Sequence, residues 1–164
     1  MERVVELTIP DPAAMEELGE RIAAELRAGD LVLLEGDLGA GKTTFTRGIG
    51  RGLGARGAVT SPTFVLAREH PTTSGPPLVH VDAYRLGSAA ELDDLDLDFE
   101  RSVVVVEWPA ERVDADAWLR LRIARPPAGD PDAEAEPRHV AIDAAGERWT
   151  PVLAALAAHP RPRP

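Results

Sequence analysis

One segment of the chain carries the residue types and the spacing that bind the phosphates of a nucleotide. Residues 36–43 read Gly-Asp-Leu-Gly-Ala-Gly-Lys-Thr, which is the complete P-loop pattern. Its glycines let backbone N–H groups curl inward around an anion. Lys42 reaches the β- and γ-phosphates, and the hydroxyl of Thr43 ligates Mg²⁺. The spacing therefore predicts a site for a nucleotide and its magnesium ion.

The sequence on either side supplies the strand and the helix that this pattern requires. Residues 31–34 form a continuous apolar run, as expected for a strand buried on both faces. Residues 43–53 place Phe45, Ile49 and Leu53 on one side of a helix. We therefore predict that the loop and the first helical turn contact the nucleotide. The residues so assigned are Asp37, Leu38, Gly39, Ala40, Gly41, Lys42, Thr43 and Thr44.

A P-loop protein also needs an acid that holds or orients the magnesium ion, at the end of an apolar strand beside the loop strand. Two acids fit: Asp82 follows an alternating strand pattern, and Glu107 follows a run of valines. Lys42, Asp82 and Glu107 are therefore the catalytic candidates, and Thr43, Glu107 and Asp82 the candidate magnesium ligands. His80 has no second histidine at ligand spacing and is predicted to be a structural hydrogen-bonding residue.

The residue types that the chain uses and lacks indicate which nucleotide it binds. Lys42 is the one lysine, against 17 arginines, and a compact ammonium suits a phosphate contact from within a tight loop better than a guanidinium fork does. The chain has no asparagine, which the guanine-reading element of GTPases requires, and no glutamine to orient an attacking water as in Ras-like enzymes. We therefore expect ATP as the ligand, with slow intrinsic hydrolysis.

The net charge of −10 and the pI near 4.8 disfavour direct binding to nucleic acid. The absence of cysteine removes disulfides, zinc-thiolate sites and cysteine nucleophiles. The chain shows no signal-peptide pattern and no apolar stretch long enough to cross a bilayer, so we expect a cytoplasmic protein.

The remaining patterns predict one α/β domain, residues 1–158, followed by a disordered tail, residues 159–164. Its fold class is a P-loop NTPase-like domain with a mostly parallel central sheet, antiparallel additions and helices on both faces. A first helix starts at Asp11 and Pro12 and ends at Gly29. Further strands are expected at residues 4–9, 63–69, 78–84, 103–106, 119–123 and 139–142, and a closing helix from Thr150. Apolar residues alternate with arginines over residues 119–123, which favours an edge strand.

Four motifs in order give the chain a resemblance to one family. They are the P-loop extended to Phe45, Ser-Pro-Thr-Phe at residues 61–64, His-Val-Asp-Ala-Tyr-Arg-Leu at residues 80–86, and Glu107-Trp108. Together they resemble the TsaE family, also called YjeE, over residues 33–109 and more loosely to residue 146. This is the bacterial ATPase subunit of the machinery that makes threonylcarbamoyladenosine next to the anticodon of tRNA. One departure is Asp96, where the family usually has glycine.

The resemblance implies roles for residues and for partners. Lys42 and Thr43 would bind phosphates and magnesium, and residues 61–64 would form a switch-like loop near the γ-phosphate. Asp82 and Glu107 would flank the ion and the attacking water, with Trp108 beside them. Members of the family dock on a complex of the transferase TsaD with TsaB, so tRNA would contact these partners and would meet this chain only indirectly. ATP hydrolysis would then reset the transferase between rounds.

Two other classes stay open. A small-metabolite kinase shares the P-loop but needs an acceptor site and a lid that carries arginines. Arg47, Arg51 and Arg56 lie on or after the P-loop helix, but the sequence shows no inserted lid. A nucleotide-gated scaffold would bind ATP without turnover.

Overall fold

The computed structural model describes residues 4–36, 41–55, 67–73, 75–82, 100–107, 117–125 and 137–158, with the backbone alone at Ala67 and Asp82. These ranges contain seven strands and three α-helices. The strands are β1 Val5–Ile9, β2 Leu31–Glu35, β3 Ala67–His70, β4 Leu78–Asp82, β5 Val103–Glu107, β6 Trp118–Ala124 and β7 Arg138–Ala145. The helices are α1 Pro12–Ala23, α2 Lys42–Leu53 and α3 Thr150–Ala158, the last preceded by a 3₁₀ turn, Glu147–Trp149.

The strands form one mixed sheet in the order β1-β7-β6-β2-β5-β4-β3. The four central strands, β6, β2, β5 and β4, run parallel to one another. β7 joins β6 and β1 joins β7 in antiparallel fashion at one side, and β3 joins β4 in the same way at the other. The predicted class, an α/β domain with a mostly parallel centre and antiparallel additions, is confirmed.

Strands β2 and β5 are buried on both faces because their residues are apolar at nearly every position. All five residues of β5 are buried, and so are Val32, Leu33 and Leu34 of β2. The three described α-helices all contribute side chains to one core, with Phe45, Ile22 and Leu153 among them. A shared core does not show which face of the sheet each helix covers, so the placement of helices on both faces stays a prediction.

The predicted edge position of the strand at residues 119–123 is wrong. β6 lies between β7 and β2, and its arginines form ion pairs with its neighbours across one sheet face. Arg120 forms a bidentate pair with Asp143 of β7, and Arg122 Nε donates to Glu35 Oε2 of β2 at 3.1 Å. Alternation reports a polar sheet face, and such a face can belong to an interior strand when acids on the neighbours pair with its cations.

The first helix is also shorter than predicted. α1 begins after Asp11, whose Oδ1 accepts a hydrogen bond from the N–H of Ala14 at 2.8 Å, but it ends at Ala23. Gly29 instead turns the chain into β2, with φ of 91° and its N–H donating to the carbonyl of Ser102 at 2.8 Å. Leu26 is buried and continues the apolar spacing beyond Ala23. The periodicity therefore predicts a longer helix than the one that forms.

Helices α1 and α2 cross with backbone against backbone. A Cβ placed on Gly48 would lie 2.1 Å from the carbonyl oxygen of Glu16, and one on Gly19 would lie 2.3 Å from that of Phe45. Arg51 of α2 adds ion pairs to Glu16 at 3.6 Å and to Glu20 at 3.3 Å. The crossing thus fixes α2, the helix that follows the glycine segment.

A buried carboxylate ties the start of β2 to the chain just before α3. Arg148 Nε donates to Asp30 Oδ1 at 2.9 Å and Nη2 donates to Oδ2 at 2.7 Å. Nη2 also donates to the carbonyl of Glu25, and the guanidinium stacks 4.3 Å from the ring centroid of Trp149. Oδ2 of Asp30 accepts a further bond from the N–H of Arg27 at 2.6 Å.

We expect Arg148→Ala to lower the free energy of unfolding by about 2–3 kcal/mol, since it leaves the Asp30 carboxylate buried with one fewer partner. Urea denaturation measures this. The matched control is Arg122→Ala, because the Arg122 side chain is 55% exposed. Its exposed ion pair should contribute under about 1 kcal/mol. Equal losses in the two variants would contradict the role given to Arg148.

Candidate functional site

The glycine segment starts where β2 ends and closes where α2 begins. Gly41 caps α2 with φ of 121°, and its carbonyl accepts the N–H of Phe45 at 2.9 Å. A side chain there would be strained by that angle, and its Cβ would come within 3.3 Å of Met15 Cε. The predicted strand and helix are therefore confirmed around the segment, and Gly41 has the conformation that its residue type predicts.

Lys42, the first residue of α2, is buried, and its ammonium lies against the segment. Nζ donates to the carbonyl of Gly36 at 2.7 Å, so a cation spans the two ends of the predicted phosphate loop. The carbonyl of Lys42 accepts from Thr46 Oγ1 at 2.8 Å. Thr43 and Thr44 lie partly buried on the same helical turn. These residues stand at the N-terminus of a helix, where the helix dipole and unpaired N–H groups favour an anion.

The two candidate acids are brought to the same place by strand register. Glu107 of β5 pairs with Leu34 of β2 on one side and with Asp82 of β4 on the other. Since the three strands are parallel, their carboxyl ends meet at one edge of the sheet, next to Gly36. The structure thus places Lys42, Glu107 and the backbone of Asp82 around the carboxyl end of β2. Which acid contacts a magnesium ion directly stays open.

Glu107 has a partner that the sequence analysis missed. Its Oε1 lies 3.3 Å from Nε2 of His80, which is fully buried, and Glu107 itself is 6% exposed. His80 was predicted to be a hydrogen-bonding residue, and this contact fits that prediction. The sequence shows that His80 precedes Asp82 by two residues, and the structure adds the register that pairs Asp82 with Glu107 of β5.

A second buried histidine lies on the neighbouring strand. His70 of β3 pairs with Leu78, which lies two residues before His80 on β4, and its Nε2 has no partner among the described residues. Burial lowers the pKa of His70 below its ordinary value, and His80 and Arg68 lower it further.

This lowered pKa gives stability a pH dependence. The unfolded chain takes up a proton at His70 more readily than the folded chain does, so stability falls as the pH drops through the ordinary histidine value of about 6.5. We expect His70→Gln to flatten the change in urea midpoint between about pH 7.5 and about pH 5.5. A slope equal to that of the parent chain would contradict this expectation.

The donor chemistry suits magnesium. A threonine hydroxyl and carboxylate oxygens are the hard ligands that Mg²⁺ accepts, usually together with water and substrate phosphates. Among the described side chains, no three or more from His, Cys, Asp and Glu group as a metal site. In the described part of the chain, no helix is long and apolar enough to span a membrane.

Several predicted residues lie outside the described ranges and stay predictions. They are Asp37, Leu38, Gly39, Ala40, residues 61–64, Tyr84, Arg85, Asp96, Trp108 and residues 159–164.

A buried parallel strand, a Gly-x4-Gly-Lys-Thr segment and a helix that begins with the lysine are the organisation of P-loop proteins. Comparison with known proteins then gives the family. The family model described as "Threonylcarbamoyl adenosine biosynthesis protein TsaE" matches residues 9–129. The chain belongs to the TsaE family.

Individual relatives agree with this assignment. The chain is similar to the tRNA threonylcarbamoyladenosine biosynthesis protein TsaE of Streptomyces coelicolor, with 60% identity over 141 residues, 82% of this chain and 93% of that protein. It is 36% identical to the Bacillus subtilis protein of the same name over 91% of each chain. Its fold matches the crystal structure of Bacillus subtilis YdiB with a TM-score of 0.71 and 31% identity, covering 97% of both chains.

Proposed function

We propose that this chain is the ATP-binding and ATP-hydrolysing subunit of tRNA threonylcarbamoyladenosine biosynthesis and that it acts on the complex of TsaB with TsaD. The observation that carries the proposal is that a TsaE-family chain brings a lysine and a glutamate to the same end of β2. Lys42 is held against the glycine segment, and Glu107 is held at the adjacent strand end.

In this proposal each group has one task. The backbone N–H groups of the loop, the N-terminus of α2 and the Lys42 ammonium bind the phosphates of ATP. The Thr43 hydroxyl, with Glu107 or Asp82, would hold Mg²⁺, which neutralises charge on the β- and γ-phosphates when bound. The second acid orients the attacking water. Glu107 is only 6% exposed. Its carboxylate would therefore act in a water-poor environment, where electrostatic interactions are strong.

Charge supports an indirect contact with tRNA. A chain of net charge −10 would repel a polynucleotide backbone, so TsaB and TsaD would hold the tRNA while this chain supplies the nucleotide-driven step. A cytoplasmic location belongs to the same proposal, because tRNA modification takes place there.

One observation weakens the kinase alternative. Arg51, one of the three arginines on or after the P-loop helix, is paired with Glu16 and Glu20 in the crossing of α1 and α2. It therefore holds the helix interface in the described structure. The scaffold alternative differs from the proposal only in turnover.

Two measurements on the full chain separate the three classes. Nucleotide affinity with Mg²⁺ tests binding, and phosphate release from ATP, alone and with TsaB and TsaD, tests hydrolysis. Stimulated release supports the proposal. Tight binding without release under any condition would favour the scaffold, and ATP consumption that depends on an added small metabolite would favour the kinase.

We expect Glu107→Ala to slow phosphate release by about 100-fold or more while nucleotide binding changes little, since loss of a positioned base or metal-orienting acid acts mainly on the chemical step. The control is Glu35→Ala, which removes a carboxylate from the end of β2 that pairs with Arg122. Its turnover should match the parent. Unchanged turnover in Glu107→Ala would move the role to Asp82.

A further inference from the structure

We propose that His80 is a positioning residue, which fixes the orientation of the Glu107 carboxylate at the carboxyl end of β5 and thereby sets the affinity of the site for Mg²⁺. This inference rests on the proposed function, because it assumes that Glu107 serves a magnesium-nucleotide site. It assigns a task to a residue that lies outside the glycine segment and the acid pair.

The geometry of the pair supports this task. His80 is paired along the strands with Val105, and Glu107 with Asp82, so the contact between His80 and Glu107 crosses diagonally from β4 to β5 on one sheet face. Nε2 and Oε1 are 3.3 Å apart. A glutamate at a strand end has several rotamers of similar energy. A ring fixed in the core, with no exposed surface, selects the rotamer that keeps the carboxylate beside β4.

The hydrogen in this contact can be assigned from the chemistry of the acid. A carboxylate that ligates a metal or accepts a proton is ionised, and an ionised carboxylate only accepts hydrogen bonds. Nε2 of His80 must therefore carry the hydrogen and donate it.

The other ring nitrogen shows that the histidine is not explained by packing alone. Nδ1 is buried and has no hydrogen-bond partner among the described residues. A buried polar atom without a partner costs stability, so an apolar residue beside Leu78 and Val105 would pack there at lower cost. Among the described residues, the ring makes its polar contact through Nε2 with Oε1 of Glu107.

The expected loss of Mg²⁺ affinity can be estimated from other proteins in which a residue orienting a metal ligand was replaced. Replacing a group that orients a metal-binding side chain lowers metal affinity by about 10- to 100-fold. The chain offers a matched control in His70, which is also buried on this face and also carries an unpartnered nitrogen, but which has no described contact with Glu107.

The test uses the full chain and a fluorescent ATP analogue, and it measures the Mg²⁺ concentration at half-maximal tightening of nucleotide binding. His80→Leu should raise this midpoint about 10-fold or more. His80→Gln, whose amide nitrogen reaches the position of Nε2, should restore it to within about 3-fold. His70→Leu should leave this midpoint unchanged, whatever the change in its melting temperature. Nitrogen NMR of the His80 ring should show Nε2 protonated in the parent chain and shifted in Glu107→Ala.

The possible results separate the positioning role of His80 from the proposed function. Equal midpoints in His80→Leu and His70→Leu, or an unprotonated Nε2 in the parent, would overturn the inference while leaving ATP hydrolysis untouched. A raised midpoint in a chain that never hydrolyses ATP would support the inference and overturn the proposed function. A parent chain without magnesium-dependent nucleotide binding would overturn both. If His80→Leu does not fold, His80→Asn replaces it, because its shorter amide cannot reach Glu107, and it should raise the midpoint relative to His80→Gln.

Discussion

Lys42→Ala should weaken ATP binding by at least about 100-fold, or about 2.7 kcal/mol, and should abolish measurable hydrolysis. The ammonium is held by the Gly36 carbonyl at 2.7 Å, so it is already positioned at the segment that would surround the phosphates. No neighbouring lysine can replace it, because the chain has no other. The substitution therefore removes the single lysine from a site proposed to bind a highly charged anion. Calorimetry or a fluorescent ATP analogue gives the dissociation constant.

Two controls separate the loss of a phosphate contact from a loss of structure. Circular dichroism and urea denaturation show whether Lys42→Ala still folds, since the substitution also removes the bond to Gly36. Lys42→Arg keeps the charge but replaces a point cation with a planar fork, and we expect it to bind ATP more weakly than the parent. A normal dissociation constant in folded Lys42→Ala would overturn the assignment of the phosphate site.

Gly48→Ala should lower the free energy of unfolding by about 3 kcal/mol or more, or prevent folding. In an ordinary helix interior the same change stabilises by about 1 kcal/mol, so a loss must come from contact with a neighbour. The added Cβ would lie 2.1 Å from the carbonyl oxygen of Glu16 and 2.8 Å from its carbonyl carbon. Both atoms are backbone, so α1 and α2 must move apart to admit it.

This displacement should reach the nucleotide site, because α2 begins with Lys42. A folded Gly48→Ala chain should therefore bind ATP more weakly than the parent. Gly75→Ala is the control, since the described atom that a Cβ there would meet is Thr72 Oγ1, at an ordinary 3.8 Å. It should change stability by less than about 0.5 kcal/mol. Parent-like stability in Gly48→Ala would show that the helices cross less closely than described.

The sequence predicted the local unit of the site well and its surroundings less well. The strand, the glycine segment and the helix from Lys42 follow from residue types next to one another along the chain, where spacing is informative. The mixed sheet also followed from strand patterns. The edge assignment of β6 failed because Arg120 and Arg122 pair with acids distant in sequence, Asp143 and Glu35. A polar sheet face and an exposed edge give the same alternation.

The contact between His80 and Glu107 shows the same limit inside the site. Each residue was noted for its own properties, but their contact depends on the register between β4 and β5, which no spacing in one strand encodes. Register results from the packing of the whole sheet. Which of the two acids would contact a magnesium ion also depends on this packing, and so Asp82 and Glu107 remain alternatives.

The most direct test of the proposed function is repeated modification of tRNA by TsaB and TsaD, measured with and without this chain and ATP. Modified tRNA is counted per molecule of TsaD, with a threonylcarbamoyl donor in excess. The proposal predicts more than one modification per TsaD with the parent chain and ATP, and no more than one with Lys42→Ala or without ATP. Repeated modification that does not depend on this chain, or that Lys42→Ala supports equally well, would contradict it.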